Sequence, residues 1–188
     1  MFGVPRGVVS TRHKPLIIIL VGLSGSGKST VGPDAALRLG WRFVDLDREI
    51  ERRVGLAVSD IFSRKGEAYF RGLERDLTAE LLNTNDGRLM ISSGGGWITN
   101  SAAVELALIR SRVIYLKVSP ETALARLGSD RHSRPLLRGS DPLGSLRRLQ
   151  IEREEYYSQA HWVIDTEVGD LQWVVAEVVR LGGVEPTE

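Results

Sequence analysis

Five short, nearly continuous apolar runs punctuate this chain, at residues 16–21, 41–44, 88–92, 113–118 and 162–164. Between them lie longer segments whose apolar positions return every three or four residues. A continuous run of this length reads as a strand buried on both faces, and the 3.6-residue period as a helix with one face to the core. Helices are therefore expected over 29–39, in short pieces over 48–64, over 66–82, over 100–109, from Ser119-Pro120-Glu121 onward and over about 143–159. A last one carries Leu171, Val174, Val175, Val178 and Val179 at i, i+3, i+4, i+7 and i+8. Gly40 should stop the first helix, Ser119 should cap another with Pro120 at its first position, and residues 83–87 read as a turn. Pro33 is out of place beyond a first turn, where it should remove a backbone bond or kink the helix.

Strands alternating with helices predict an α/β fold: a parallel sheet covered on both faces, in one domain. The 188-residue length suits that, and 42% hydrophobic with 26% charged residues is ordinary for a soluble globular chain. The net charge of +1 gives no argument for a nucleic-acid or membrane partner, so electrostatic work must be local. Without cysteine, disulfides, thiolate catalysis and Cys-ligated metal are excluded. Residues 1–14 hold Arg6, Arg12, His13 and Lys14 with no acid and are read as a loose N-terminal tail; with no export signal, the expected compartment is the cytoplasm.

The most informative stretch is Gly22-Leu23-Ser24-Gly25-Ser26-Gly27-Lys28-Ser29-Thr30, directly after the first apolar run. Strand, glycine-rich turn and Lys-Ser at a helix start make the spacing of a P-loop, whose backbone N–H groups and helix N-terminus converge on a phosphate. Lys28 adds a full positive charge, and Ser29 a hydroxyl where a Mg²⁺ bridging the terminal phosphates needs an oxygen. Asp45 and Asp47 follow the second strand and Gly94-Gly95-Gly96 the third, so three separate features fall at carboxyl ends of strands, where ligand crevices of open α/β sheets lie. If the extended conformation persists, period two puts Asp45 and Asp47 on the same side of the sheet.

Phosphoryl transfer to an alcohol needs a carboxylate to orient the acceptor and take its proton, and Asp47 is the candidate; Asp45 would hold the metal's waters. The competing reading is that both acids only cap the next helix. Residues 128–144, polar with Arg131, Arg134 and Arg138, read as a lid or simply as a solvated loop. Arg153 shares a helix face with Leu146 and Leu149, and Arg71 lies near Glu74 on another helix. Two inward arginines suggest a substrate carboxylate held in bidentate fashion, with structural salt bridges as the plainer alternative.

From Leu16 to about Thr166 the chain resembles the shikimate kinases. The likeness rests on the P-loop, Gly40-Trp-Arg-Phe-Val-Asp45-Leu-Asp47, Gly66-Glu-Ala-Tyr-Phe-Arg71-Gly-Leu-Glu74, Gly94-Gly95-Gly96, Arg134-Pro-Leu-Leu, Arg153 with Tyr157, and Ile164-Asp165-Thr166. The resemblance implies a three-layer P-loop fold of the nucleoside monophosphate kinase type, strand order 2-3-1-4-5, with an acceptor-binding helical insert at about 48–82. It implies transfer of the ATP γ-phosphate to the 3-hydroxyl of shikimate with Mg²⁺, in aromatic amino acid biosynthesis, by a chain acting as a monomer. Gly25, Ser26, Gly27, Lys28, Ser29 and Thr30 would hold the nucleotide. Arg126, Asp165 and Thr166 would sit about the adenine and Arg134 at the phosphates. On the acceptor side, Asp47 would orient the hydroxyls and act as base, Arg71 and Arg153 would hold the carboxylate, and Gly94, Gly95 and Gly96 would line the pocket, Gly95 with its backbone N–H. Trp97, where the family has a small residue, would put bulk beside that pocket. The rivals are a related sugar-acid kinase such as gluconate kinase, and a nucleotide-binding regulatory module without catalysis.

Overall fold

The computed structural model describes residues 16–84, 87–129, 134, 137 and 139–183. The expected N-terminal tail and the lid residues Arg131 and Arg138 lie outside them. In chain order the elements are β1 (Ile17–Val21), α1 (Lys28–Leu39), β2 (Arg42–Asp45), α2 (Leu46–Val54), α3 (Val58–Lys65), α4 (Glu67–Leu82) and β3 (Leu89–Ser92). After a 3-10 turn at Trp97–Thr99 come α5 (Ser101–Arg110), β4 (Arg112–Lys117), α6 (Pro120–Leu127), α7 (Pro142–Tyr157), β5 (Trp162–Asp165) and α8 (Leu171–Gly183).

The strands form one parallel sheet in the order β2-β3-β1-β4-β5. β1 is central and fully buried, and its period of two divides the core. Ile17, Ile19 and Val21 point to a layer completed by residues of α2 to α7, while Ile18 and Leu20 point to a layer completed by α1 and α8. Burying each such side chain is worth about 1.5–3 kcal/mol, so the continuous apolar run is what places β1 between two helical layers. The chain reverses its direction of winding on either side of β1, and that reversal opens a crevice beyond the strand's carboxyl end.

One local expectation needs correction. The extended conformation of β2 stops at Asp45, whose carboxylate accepts the Arg48 N–H (3.2 Å) and caps α2, so Asp47 lies in the first turn of a helix. Capping an otherwise orphaned amide outweighs two more residues of edge strand. Pro33 stands inside α1, which runs from Lys28 to Leu39, and as expected it removes a backbone bond, since proline cannot donate to the Ser29 carbonyl one turn back. Along α4, Arg71 binds both Glu67 and Glu74, and Arg75 binds Asp76.

Candidate active site

The loop between β1 and α1 folds around Lys28. Its Nζ, on a buried side chain, donates to the Gly22 and Leu23 carbonyls (2.8 and 2.9 Å) and to Ser26 Oγ (3.3 Å). Burial, with the neighbouring Arg134 charge adding to it, lowers the Lys28 pKa to about 8. Gly25 and Gly27 hold φ of 87° and 96°, the left-handed conformation that lets a glycine-rich turn wrap closely at the start of α1. Gly25, Ser26, Gly27, Lys28, Ser29 and Thr30 all line a large cleft there.

Ser29 Oγ donates to Asp45 Oδ2 (2.8 Å), so the same carboxylate that caps α2 reaches back to the loop. Across the cleft Arg126 donates to Thr166 through both terminal nitrogens, at 2.8 Å to Oγ1 and 2.9 Å to the carbonyl, and both residues line the wall. Asp165 does not. Its carboxylate accepts the Glu167 N–H (2.9 Å) and caps the turn after β5, because an Asp ending a strand satisfies the nearest free amide.

A smaller pocket adjoins the cleft. Asp47 and Arg134 border both spaces, and Arg134 Nη1 lies 3.3 Å from Asp47 Oδ2. Asp47 Oδ1 is buried with no hydrogen-bond partner among the described residues, and burial, with Asp45 beside it, pushes the carboxyl pKa up. On the pocket's far side lie Arg71 and Arg153. Arg153 Nη1 donates to the Gly95 carbonyl (2.7 Å), and Tyr157 Oη reaches the same oxygen at 3.5 Å. Gly95 thus accepts through its carbonyl, whereas the resemblance assigned work to its N–H.

The three glycines let these side chains close in. A Cβ on Gly94 would stand 2.6 Å from Asp47 Oδ1 and 2.9 Å from Glu74 Oε1, and one on Gly96 would strike the Arg71 guanidinium. Trp97 turns away, contrary to the expected bulk in the pocket. It is fully buried, its Nε1 donating to Thr78 Oγ1 (3.0 Å) on α4, because a polar N–H inside a core needs an acceptor.

Glu74 was read from sequence as one half of a helical ion pair, and it is more than that. It is fully buried in the pocket wall, with Oε2 accepting from Arg71 Nη1 (2.6 Å) and Oε1 without a partner among the described residues; burial pushes its pKa to about 7. An acid three residues after an inward arginine was the available signal. Ser24, which borders both spaces, carried no signal apart from its place in the loop.

A phosphate cradle at a sheet's switch point, joined to an acceptor pocket with a carboxylate at the boundary, defines a P-loop kinase with the fold of the nucleoside monophosphate kinases. The family is narrower than the fold. The model of the family "Shikimate kinase" matches residues 24–181. A shikimate kinase of Moorella thermoacetica is 41% identical over 161 residues, covering 86% of this chain and 91% of the relative. One from Symbiobacterium thermophilum is 44% identical over 165 residues, covering 87% and 94%. The solved structure of shikimate kinase from Acinetobacter baumannii in complex with shikimate superposes with a TM-score of 0.82 at 36% identity, covering 89% of this chain and 92% of that one. This chain belongs to the shikimate kinase family. A gluconokinase from Sinorhizobium meliloti, 19% identical with a TM-score of 0.56, shares the fold alone.

Proposed function

We propose that this protein transfers the γ-phosphoryl group of ATP to the 3-hydroxyl of shikimate, releasing ADP and shikimate 3-phosphate. The observation that carries the acceptor assignment is Arg153: a buried guanidinium whose hydrogen bond goes to a carbonyl and which has no carboxylate partner among the described residues. A buried cation without a counterion is costly, and an anionic substrate at that spot supplies the missing charge. Arg71 stands in the same pocket wall, and together they suit a carboxylate gripped by two forks. Asp47, at the boundary with the nucleotide cleft, faces the opposite end of a small acceptor.

In this reading the P-loop amides and Lys28 hold the β- and γ-phosphates, and Arg134 closes on the transferring group. Arg126 and Thr166 border the base. Asp47 accepts the acceptor's hydroxyl proton as that oxygen bonds to the γ-phosphorus, and the electron pair of the breaking P–O bond leaves on ADP. A carboxyl whose pKa burial has raised is the better base for an alcohol. Ser29 and Asp45 form an oxygen-only donor pair, 2.8 Å apart, which fits Mg²⁺: that ion takes few protein oxygens and completes its shell with phosphate and water. Ser29 would ligate it directly and Asp45 through water. Bound there, Mg²⁺ would neutralise charge on the terminal phosphates.

The working unit is taken as a monomer in the cytoplasm, with neither nucleic acid nor membrane as partner; the net charge of +1 offers no surface for an extended polyanion. No helix among the described residues is long and apolar enough to cross a membrane. The test is ADP release from ATP and Mg²⁺ against a panel of hydroxy acids. Turnover with shikimate and little with gluconate is expected; turnover of gluconate but not shikimate overturns the assignment.

A further inference from the structure

We propose that the Ser24 hydroxyl is a further catalytic group, donating a hydrogen bond to the phosphoryl group as it crosses from the nucleotide cleft to the acceptor pocket; the proposal rests on the kinase reading above. Position is the first argument. Ser24 borders both spaces, a property it shares with Asp47, Val58, Gly95 and Arg134, so these residues frame the passage between donor and acceptor. The opposite side of that passage is close. A Cβ on Gly95 would stand 2.8 Å from Ser24 Oγ and 3.3 Å from its backbone nitrogen, which sets the hydroxyl against the glycine whose carbonyl holds Arg153.

The second argument is what this hydroxyl does not do. Ser26 Oγ accepts from Lys28 and Ser29 Oγ donates to Asp45, so both neighbouring loop hydroxyls are tied into the fold. Ser24 Oγ makes no hydrogen bond among the described residues, and Lys28 is held by Gly22, Leu23 and Ser26 without it. Loop conformation therefore does not call for a hydroxyl at position 24.

Chemistry supplies the use. The group in transfer spreads its charge over three equatorial oxygens, each wanting a donor. Lys28 and Arg134 bring two cations to the passage, and a half-buried, uncommitted O–H fits as a neutral third donor. Lying between the two spaces, it would be better aligned with a phosphoryl group in flight than with ATP at rest, and a contact of that kind acts on kcat.

The experiment compares wild type, Ser24→Ala and Ser24→Thr in three readouts: shikimate phosphorylation, the slow hydrolysis of ATP by water without acceptor, and MgADP affinity by calorimetry. Ser24→Ala should lower kcat in both reactions by roughly 10- to 100-fold, with KM for shikimate and the MgADP Kd changed by less than about threefold. Ser24→Thr, which keeps the hydroxyl, should recover most of the loss. Phosphorylation by Ser24→Ala at wild-type rate overturns the proposal. So does a fall in kcat matched by a fall in MgADP affinity, which marks a disturbed loop, or a threonine variant as slow as alanine. A wild type inert toward shikimate removes the acceptor assignment instead, and the hydrolysis readout still decides the role of Ser24.

Discussion

Replacing Glu74 by glutamine removes a titratable group from the wall of the acceptor pocket while nearly preserving its shape, and the effect on stability should depend on pH. In the folded protein burial pushes this carboxyl from 4.5 to about 7, overriding the Arg71 guanidinium that binds it at 2.6 Å. Between those two values the native state still holds a proton that the unfolded chain has released. Its contribution to stability is therefore complete below about 4.5 and is lost as pH rises through about 7. The difference between the two pKa values corresponds to about 3 kcal/mol, of which about 2 kcal/mol or more should be lost between about pH 5 and about pH 8.

Glutamine does not titrate and keeps an acceptor oxygen for Arg71, so Glu74→Gln should lack this drain. Urea unfolding of both proteins, without ligands, measures it: the stability of wild type relative to the variant should fall by about 2–3 kcal/mol from about pH 5 to about pH 8. Asp47 and Lys28 titrate in both proteins, and taking the difference largely removes them. A difference that stays flat across this range refutes the argument. That flat result would mean that the Arg71 ion pair dominates and that Glu74 is ionised throughout this range in the folded protein as in the unfolded chain.

Asp47→Asn should keep MgADP affinity and lose roughly 10²-fold or more in turnover, the scale of a lost general base; unchanged kcat would remove Asp47 from the chemistry. Arg153→Lys should raise KM for shikimate by about tenfold or more, since in the proposed reading a point charge cannot serve both the Gly95 carbonyl and a substrate carboxylate as the guanidinium fork would. Should KM for ATP change in its place, Arg153 belongs to the nucleotide side.

The fold was legible because it depends on patterns local in the chain. The all-apolar β1, the amphipathic helices and the glycine-rich loop each carry their structure in a few consecutive residues, and a parallel α/β sheet then brings the carboxyl ends of its strands to one edge. The inward face of Arg153 was legible for the same reason, from its spacing to Leu146 and Leu149. Its partner was not. The Gly95 carbonyl is 58 residues away, and only the packing of α7 over the turn after β3 brings the two together. Asp47 marks a different boundary. Its presence at the site was readable, but its geometry was misjudged, because a period of two holds only while a strand continues and the Asp45 side chain ended this one by capping α2. Trp97 was misplaced for a related reason: its 3-10 turn sends the indole to Thr78 on α4, where its N–H finds an acceptor that chain position could not reveal. Local pattern therefore selects which residues reach the crevice, while the angle at which each enters is set by caps, turns and partners distant in the chain. Phosphoryl transfer depends on that angle, which is why the residues whose roles sequence reading left undeveloped, Ser24 and Glu74, are ones whose importance lies in what they face.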